Sequence, residues 1–158
     1  MAVIKIDDGT REYTLVDTYG REFCKLYLRP SDYSIMDRYN TLLEDLESVL
    51  APLADIGVTA EGEAASDDKD DWAKFKAVEA EIIRRLSVVL DTDASVIFEK
   101  RNAFSPVGGR FFCEVVLEAL GEVIAGAIKE ESAKTQARLG KYMPQEQDSD
   151  AGAASAGA

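Results

Sequence analysis

Histidine is absent from this 158-residue chain. Without an imidazole there is no Ser-His or Cys-His nucleophile pair and the commonest general base is gone, so only carboxylate or lysine chemistry stays open to an enzyme. Cysteine is nearly absent too. Cys24 and Cys113 form no CxxC pair and have no histidine to complete a zinc site, so both read as small buried apolar residues. No apolar run approaches the roughly 20 residues of a membrane span. The opening MAVIKIDDGT carries Lys5 and Asp7 where a secretory leader keeps an apolar region. A cytoplasmic protein with no membrane partner is therefore expected. Basic charge is in short supply, 18 Lys and Arg against 30 Asp and Glu, for a net charge of −12. Arg84-Arg85 and Lys100-Arg101 are isolated pairs, so direct binding of nucleic acid is not expected.

What is present is a chain of single-domain length with 46% apolar and 30% charged residues, ordinary values for a globular fold. Residues 2–30 read as a small antiparallel sheet. Val3, Ile4 and Ile6 form one strand, Asp8-Gly9 turns the chain, and Tyr13, Leu15 and Val16 form the next. A third alternates Phe23, Lys25 and Tyr27 against Cys24, Leu26 and Leu28 up to Pro30. Ser31 is placed to cap a helix over about 31–56 with Asp32 in its first turn. The stripe Ile35, Tyr39, Leu42, Leu46, Val49, Leu53 and Ile56, widened by Met36, Leu43 and Leu50, reads as internal core, with a coiled-coil seam as the alternative. Pro52 is expected to kink or end this helix near Ala51.

An acidic, small-residue stretch at 58–70 reads as a flexible linker. A second helix follows over about 71–90 with Trp72, Phe75, Val78, Ile82, Leu86 and Val89 on one face. DASVIFEK adds a short helix. Residues 91–102 approach an EF-hand loop but put Val96 where the turn glycine belongs and Asn102 where the bidentate glutamate belongs, so no metal is assigned. A third helix is expected over about 107–139, with Gly121 and Gly126 inside it either weakening it or admitting a neighbour. Residues 141–158 are small and polar and read as a disordered tail. The whole is one domain over 1–140, α+β and mainly α.

FSPVGGRFF at 104–112 is the segment with the most unusual composition. It lacks both the P-loop and the dinucleotide glycine patterns. The local reading is a helix start, with Ser105 as cap, Pro106 in the first turn and the glycines allowing close approach to a neighbour. Phe104, Phe111 and Phe112 are then either core or, with Pro106, anchors for a partner.

The order of these segments, with RPSD opening a long helix and FEKRNAFSPVGGRFFCEVVLEALGEVI preceding a low-complexity tail, resembles the tail assembly chaperones of long-tailed bacteriophages, in the form carried by Firmicutes prophages. The resemblance covers about residues 1–140. It implies a non-enzymatic protein of the host cytoplasm, absent from the mature virion. Such a protein binds the tape measure protein, helps recruit tail-tube subunits, and needs no cofactor. Phe104, Pro106, Phe111 and Phe112 are the candidate partner-binding residues, and a homo-oligomer is compatible with the regular first helix. A small structural tail or connector protein, or an acidic protein-binding adaptor, is the alternative. Carboxylate chemistry around Glu79 and Glu81 is the enzymatic one.

Overall fold

The computed structural model describes residues 1–59 and 69–142. It is α+β: a two-stranded antiparallel ribbon near the N-terminus and three long helices. Strand β1 (Arg11–Val16) pairs with β2 (Glu22–Leu28), Tyr13 opposite Leu26 and Leu15 opposite Cys24, with an irregularity between Leu15 and Val16. The pleat sends Tyr13, Leu15, Cys24, Leu26 and Leu28 to the core side. On the other face the Tyr27 hydroxyl donates to Glu12 at 2.7 Å. The strand expected over Val3–Ile6 is not formed. Asp7 and Asp8 fold the chain on themselves, their carboxylates accepting from the amides of Gly9 and Thr10 at 3.0 Å each, and the hairpin turn lies instead at Asp17–Arg21. There the Asp17 amide donates to the Arg21 carbonyl at 2.9 Å, and the Asp17 carboxylate accepts from the Tyr19 and Arg21 amides.

Helix α1 (Tyr33–Asp55) starts one residue later than Ser31 would place it, because the carboxylate of Asp32 is the cap and accepts from the Ser34 amide at 2.9 Å. Pro52 does not end it. The proline sits in the last turn, where few intrahelical bonds remain to lose, and Leu53, Ile56 and Val58 are buried beside it. The stop is Gly57, at φ +77°, with its amide on the Ala54 carbonyl. The stripe of α1 is internal core: Ile35, Leu42 and Leu53 are buried, and Tyr39, Leu46 and Val49 are partly buried against them.

The expected linker over 58–70 falls mostly outside the described residues, and α2 begins at Lys69 and runs to Leu90. Phe75, Val78, Ile82, Leu86 and Val89 are its buried face, while Trp72 is half-exposed at the end of that stripe. Arg29 ties the ribbon to both helices, reaching Asp91 after α2 at 2.7 Å, Asp8 at 3.6 Å and the Asp32 cap at 3.9 Å. A 3-10 turn, Ala94–Phe98, is where the short helix was expected. Helix α3 runs from Phe112 to Tyr142, starting later and ending later than expected; the tail beyond it lies outside the described residues.

Packing separates the two glycines of α3. A Cβ on Gly121 would stand 2.4 Å from the Tyr39 hydroxyl and 2.8 Å from its ring, whereas nothing lies within 4 Å of one on Gly126. The Tyr39 hydroxyl donates to the Leu117 carbonyl at 2.7 Å, so α1 crosses α3 with a tyrosine seated in the notch that Gly121 leaves. Gly121→Ala is expected to cost about 1–3 kcal/mol through overpacking, more than its gain in helix propensity. Gly126→Ala should instead stabilise by about 0.5–1 kcal/mol. Urea unfolding followed by the fluorescence of Trp72 measures both.

Candidate functional site

The FSPVGGRFF segment is a miniature hairpin, not a helix start. Pro106-Val107 (β3) pairs with Arg110-Phe111 (β4), and Gly108 and Gly109, at φ +59° and +81°, form the two-residue turn between them. Positive φ at both central positions is the backbone of a type I′ turn, which only glycine adopts freely. Ser105 therefore does not cap with its side chain, and Pro106 lies outside the helix. The first amides of α3 are taken by the chain itself: Phe112 donates to the Ser105 carbonyl and Cys113 to the Ala103 carbonyl, both at 2.8 Å, and Phe111 donates to the Glu114 carboxylate at 3.1 Å. With those donors occupied and Glu114 beside them, the helix start offers no cradle for a phosphate.

The four candidate residues separate into three environments. Phe104 and Phe111 are buried and continue an aromatic chain, Trp72 to Phe75 to Phe104 to Phe111, with ring centres 5.3, 5.4 and 5.5 Å apart and near-perpendicular planes. They pack the domain, so a partner meets neither without opening it. Pro106 is exposed on the hairpin. Phe112 is half-buried, edge-on to Phe98 at 5.8 Å, and faces a groove. The aromatic chain is held in place from below by Glu79, whose carboxylate accepts from the Ala103 amide at 3.0 Å.

That groove lies between the ribbon and α3. It has a volume of about 690 Å³ and an apolar lining. One wall is β1 and its end, Tyr13 through Thr18 without a gap; the other is α3, through Phe112, Val115, Val116, Ala119, Leu120 and Val123. β1 is paired on one side alone, and Phe23 and Leu28 of β2 line the groove beside it. Lys100 and Arg101 stand at the rim, with the Arg101 guanidinium 4.1 Å above the Phe23 ring. Val115, Leu120 and Val123 are apolar at helical spacing, and nothing in that spacing signals that they face an open space.

A second cleft, about 290 Å³, lies between α1 and α2 and is lined by Arg38, Arg84 and Arg85 with Asp37 and Asp45. Its cations are already engaged. Arg85 meets Asp45 at 3.1 Å and Glu81 at 2.8 Å, Arg84 meets Glu81 at 2.7 Å, and Arg38 donates to the Val89 carbonyl. The two guanidinium groups hold the Glu81 carboxyl down at about 2, the opposite of the raised value a general acid needs. Burial pushes the Cys113 thiol up to about 12, so it stays protonated and unreactive. Among the described residues no cluster of acidic and cysteine side chains is arranged to hold a metal ion, and no helix is long and apolar enough to cross a membrane. The chain matches no protein-family model, no curated protein and no solved structure.

Two outcomes follow from this geometry. Phe104→Ala should cost about 3–5 kcal/mol because it empties the middle of the aromatic chain, while Val107→Ser on the exposed hairpin should stay within about 0.5 kcal/mol of wild type. Thermal melts of the two variants separate them. The depressed carboxyl of Glu81 stabilises the fold at pH above its unfolded value near 4.3, and that contribution is lost as pH falls toward about 2. With no histidine to titrate, the urea midpoint is expected to be level between about pH 5 and 8 and to fall only in acid. A midpoint series across that range checks it.

Proposed function

We propose that this chain is a non-enzymatic assembly chaperone of long-tailed bacteriophages, acting in the host cytoplasm and absent from the finished virion. In this reading it holds an apolar segment of the tape measure protein in the groove between β1 and α3 and helps bring tail-tube subunits to it. The observation that carries the reading is the groove itself: an apolar volume of about 690 Å³ in a protein whose net charge is −12. The apolar walls cover a client that would otherwise aggregate, and the charge keeps the complex dispersed. Lys100 and Arg101 at the rim suit a client segment that is apolar with acidic residues at its end. The order of segments that resembles the phage family supplies the identity of the client. Pro106, exposed beside the groove, remains a contact candidate; Phe112 contributes to the groove floor, and Phe104 and Phe111 support it from inside.

Co-expression with the tape measure protein encoded in the same phage tests the reading. The wild-type chain is expected to keep that protein soluble and to co-purify with it. Ala119→Arg, which puts a charge on an exposed groove position, should weaken binding at least about tenfold with an unchanged melting temperature. A tape measure protein that stays insoluble and unbound beside the wild-type chain would refute the proposal. Recovery of the chain from purified virions would favour a structural tail component instead.

A further inference from the structure

The segment Ala2–Ile6 leaves its apolar side chains uncovered: Val3 is 77% exposed, Ile4 84% and Ile6 79%. Its sequence alternates in strand fashion, with Ile4 and Ile6 on one face and Val3 and Lys5 on the other. The groove is the complementary feature, an apolar slot lined by β1, a strand with a sheet neighbour on one side alone. The strand fits within the slot. From Phe112 to Val123 the α3 wall rises about 16 Å at 1.5 Å per residue, and Ala2 to Ile6 rise about 13 Å at 3.3 Å per residue.

The segment is not paired with β1 of its own chain. Asp8 is tied to Arg29, which follows β2, and a Cβ on Gly9 would stand 3.3 Å from the Ser31 hydroxyl at the start of α1. The turn that carries the arm is thus held beside the chain that leaves β2, with Asp7 tied to Arg11 at the start of β1 at 2.9 Å. We propose that the groove is filled in the isolated protein by the Ala2–Ile6 strand of a second copy, exchanged reciprocally, so that each β1 becomes the middle strand of three. A two-fold exchange of this kind satisfies both copies at once and leaves no open end.

Side-chain chemistry fits that placement. An added strand with Ile4 and Ile6 on the side of Tyr13 and Leu15 packs them against Val115, Ala119 and Val123. It places Lys5 on the opposite face, the face of Glu12, where the arm's one basic side chain meets an acid in an acidic protein. The exchange also covers the exposed strand edge that invites uncontrolled association. It adds a control to the groove proposed above for the client, since the client then enters by displacing the arm. The exchange concerns the isolated chain, so its failure leaves the client reading standing, and failure of client binding leaves the exchange standing.

Two measurements on the full-length protein test it. Sedimentation equilibrium should give twice the 17.3 kDa chain mass for wild type, and a monomer for Ile4→Asp combined with Ile6→Asp at an unchanged melting temperature of the domain. In a Cys24→Ser background, an Ile4→Cys chain mixed with an Ala119→Cys chain should form a disulfide-linked heterodimer on oxidation. A monomeric wild type, a dimer that survives the double aspartate change, or an Ile4→Cys/Ala119→Cys chain that closes its disulfide only within itself would overturn the proposal.

Discussion

The position of α3 depends on one contact, Tyr39 seated against Gly121. The hydroxyl binds the Leu117 carbonyl at 2.7 Å, and a side chain at 121 would overlap the ring. Helix α1 is fixed in turn by its buried face on α2 and by the Asp32 cap next to Arg29. A helix of 31 residues needs such a fastening, because its exposed second half contributes little burial. At its other end Ser105 and Ala103 take up the first α3 amides. Held at these two places, α3 stands off from β1, and the groove is the space left between them. A core mutation that loosens the notch would therefore change the groove's shape before it changes the rest of the fold.

The charge distribution follows the same division. No charged or polar side chain is among the buried residues described, and ion pairs such as Arg85 with Asp45 and Glu81 sit on the helix surfaces, where each contributes little. Stability rests on apolar packing, above all on the aromatic chain from Trp72 to Phe111. FSPVGGRFF joins the two functions. Its phenylalanines fill the core, its glycines reverse the chain, and its end delivers Phe112 to the groove. Phe104 and Phe111, which look like partner anchors in sequence, are core side chains in the structure.

Much of the fold was legible because its signals are periodic. The stripes of α1 and α2 and the inward face Cys24, Leu26 and Leu28 are spaced as helix and strand require, and the structure packs them into the core except for Leu43 and Trp72, which stay exposed. Features that depend on which neighbour arrives were not. Gly121 and Gly126 are indistinguishable in a helix pattern, yet only the first meets a tyrosine. Asp8-Gly9 has the composition of a hairpin turn, but the Asp7 and Asp8 carboxylates bind the next amides and Arg29 holds the result toward α1. Gly108-Gly109 is also a two-residue turn signal and does make a hairpin. The type I′ signal was present there and was outweighed by the helix pattern that follows it. The groove itself was invisible, since Val115, Leu120 and Val123 have the spacing of core residues and nothing local says that the opposing layer is missing.

The proposed exchange requires the open edge of β1 to be a binding edge. Amide hydrogen exchange along Glu12–Val16 in the isolated full-length protein tests it directly. A strand paired on one side protects alternate amides only, whereas a strand paired on both sides protects consecutive ones. Protection of consecutive amides from Glu12 to Val16, reverting to the alternating pattern when Ile4 and Ile6 are replaced by aspartate, is the predicted result; an alternating pattern in the wild type would contradict it.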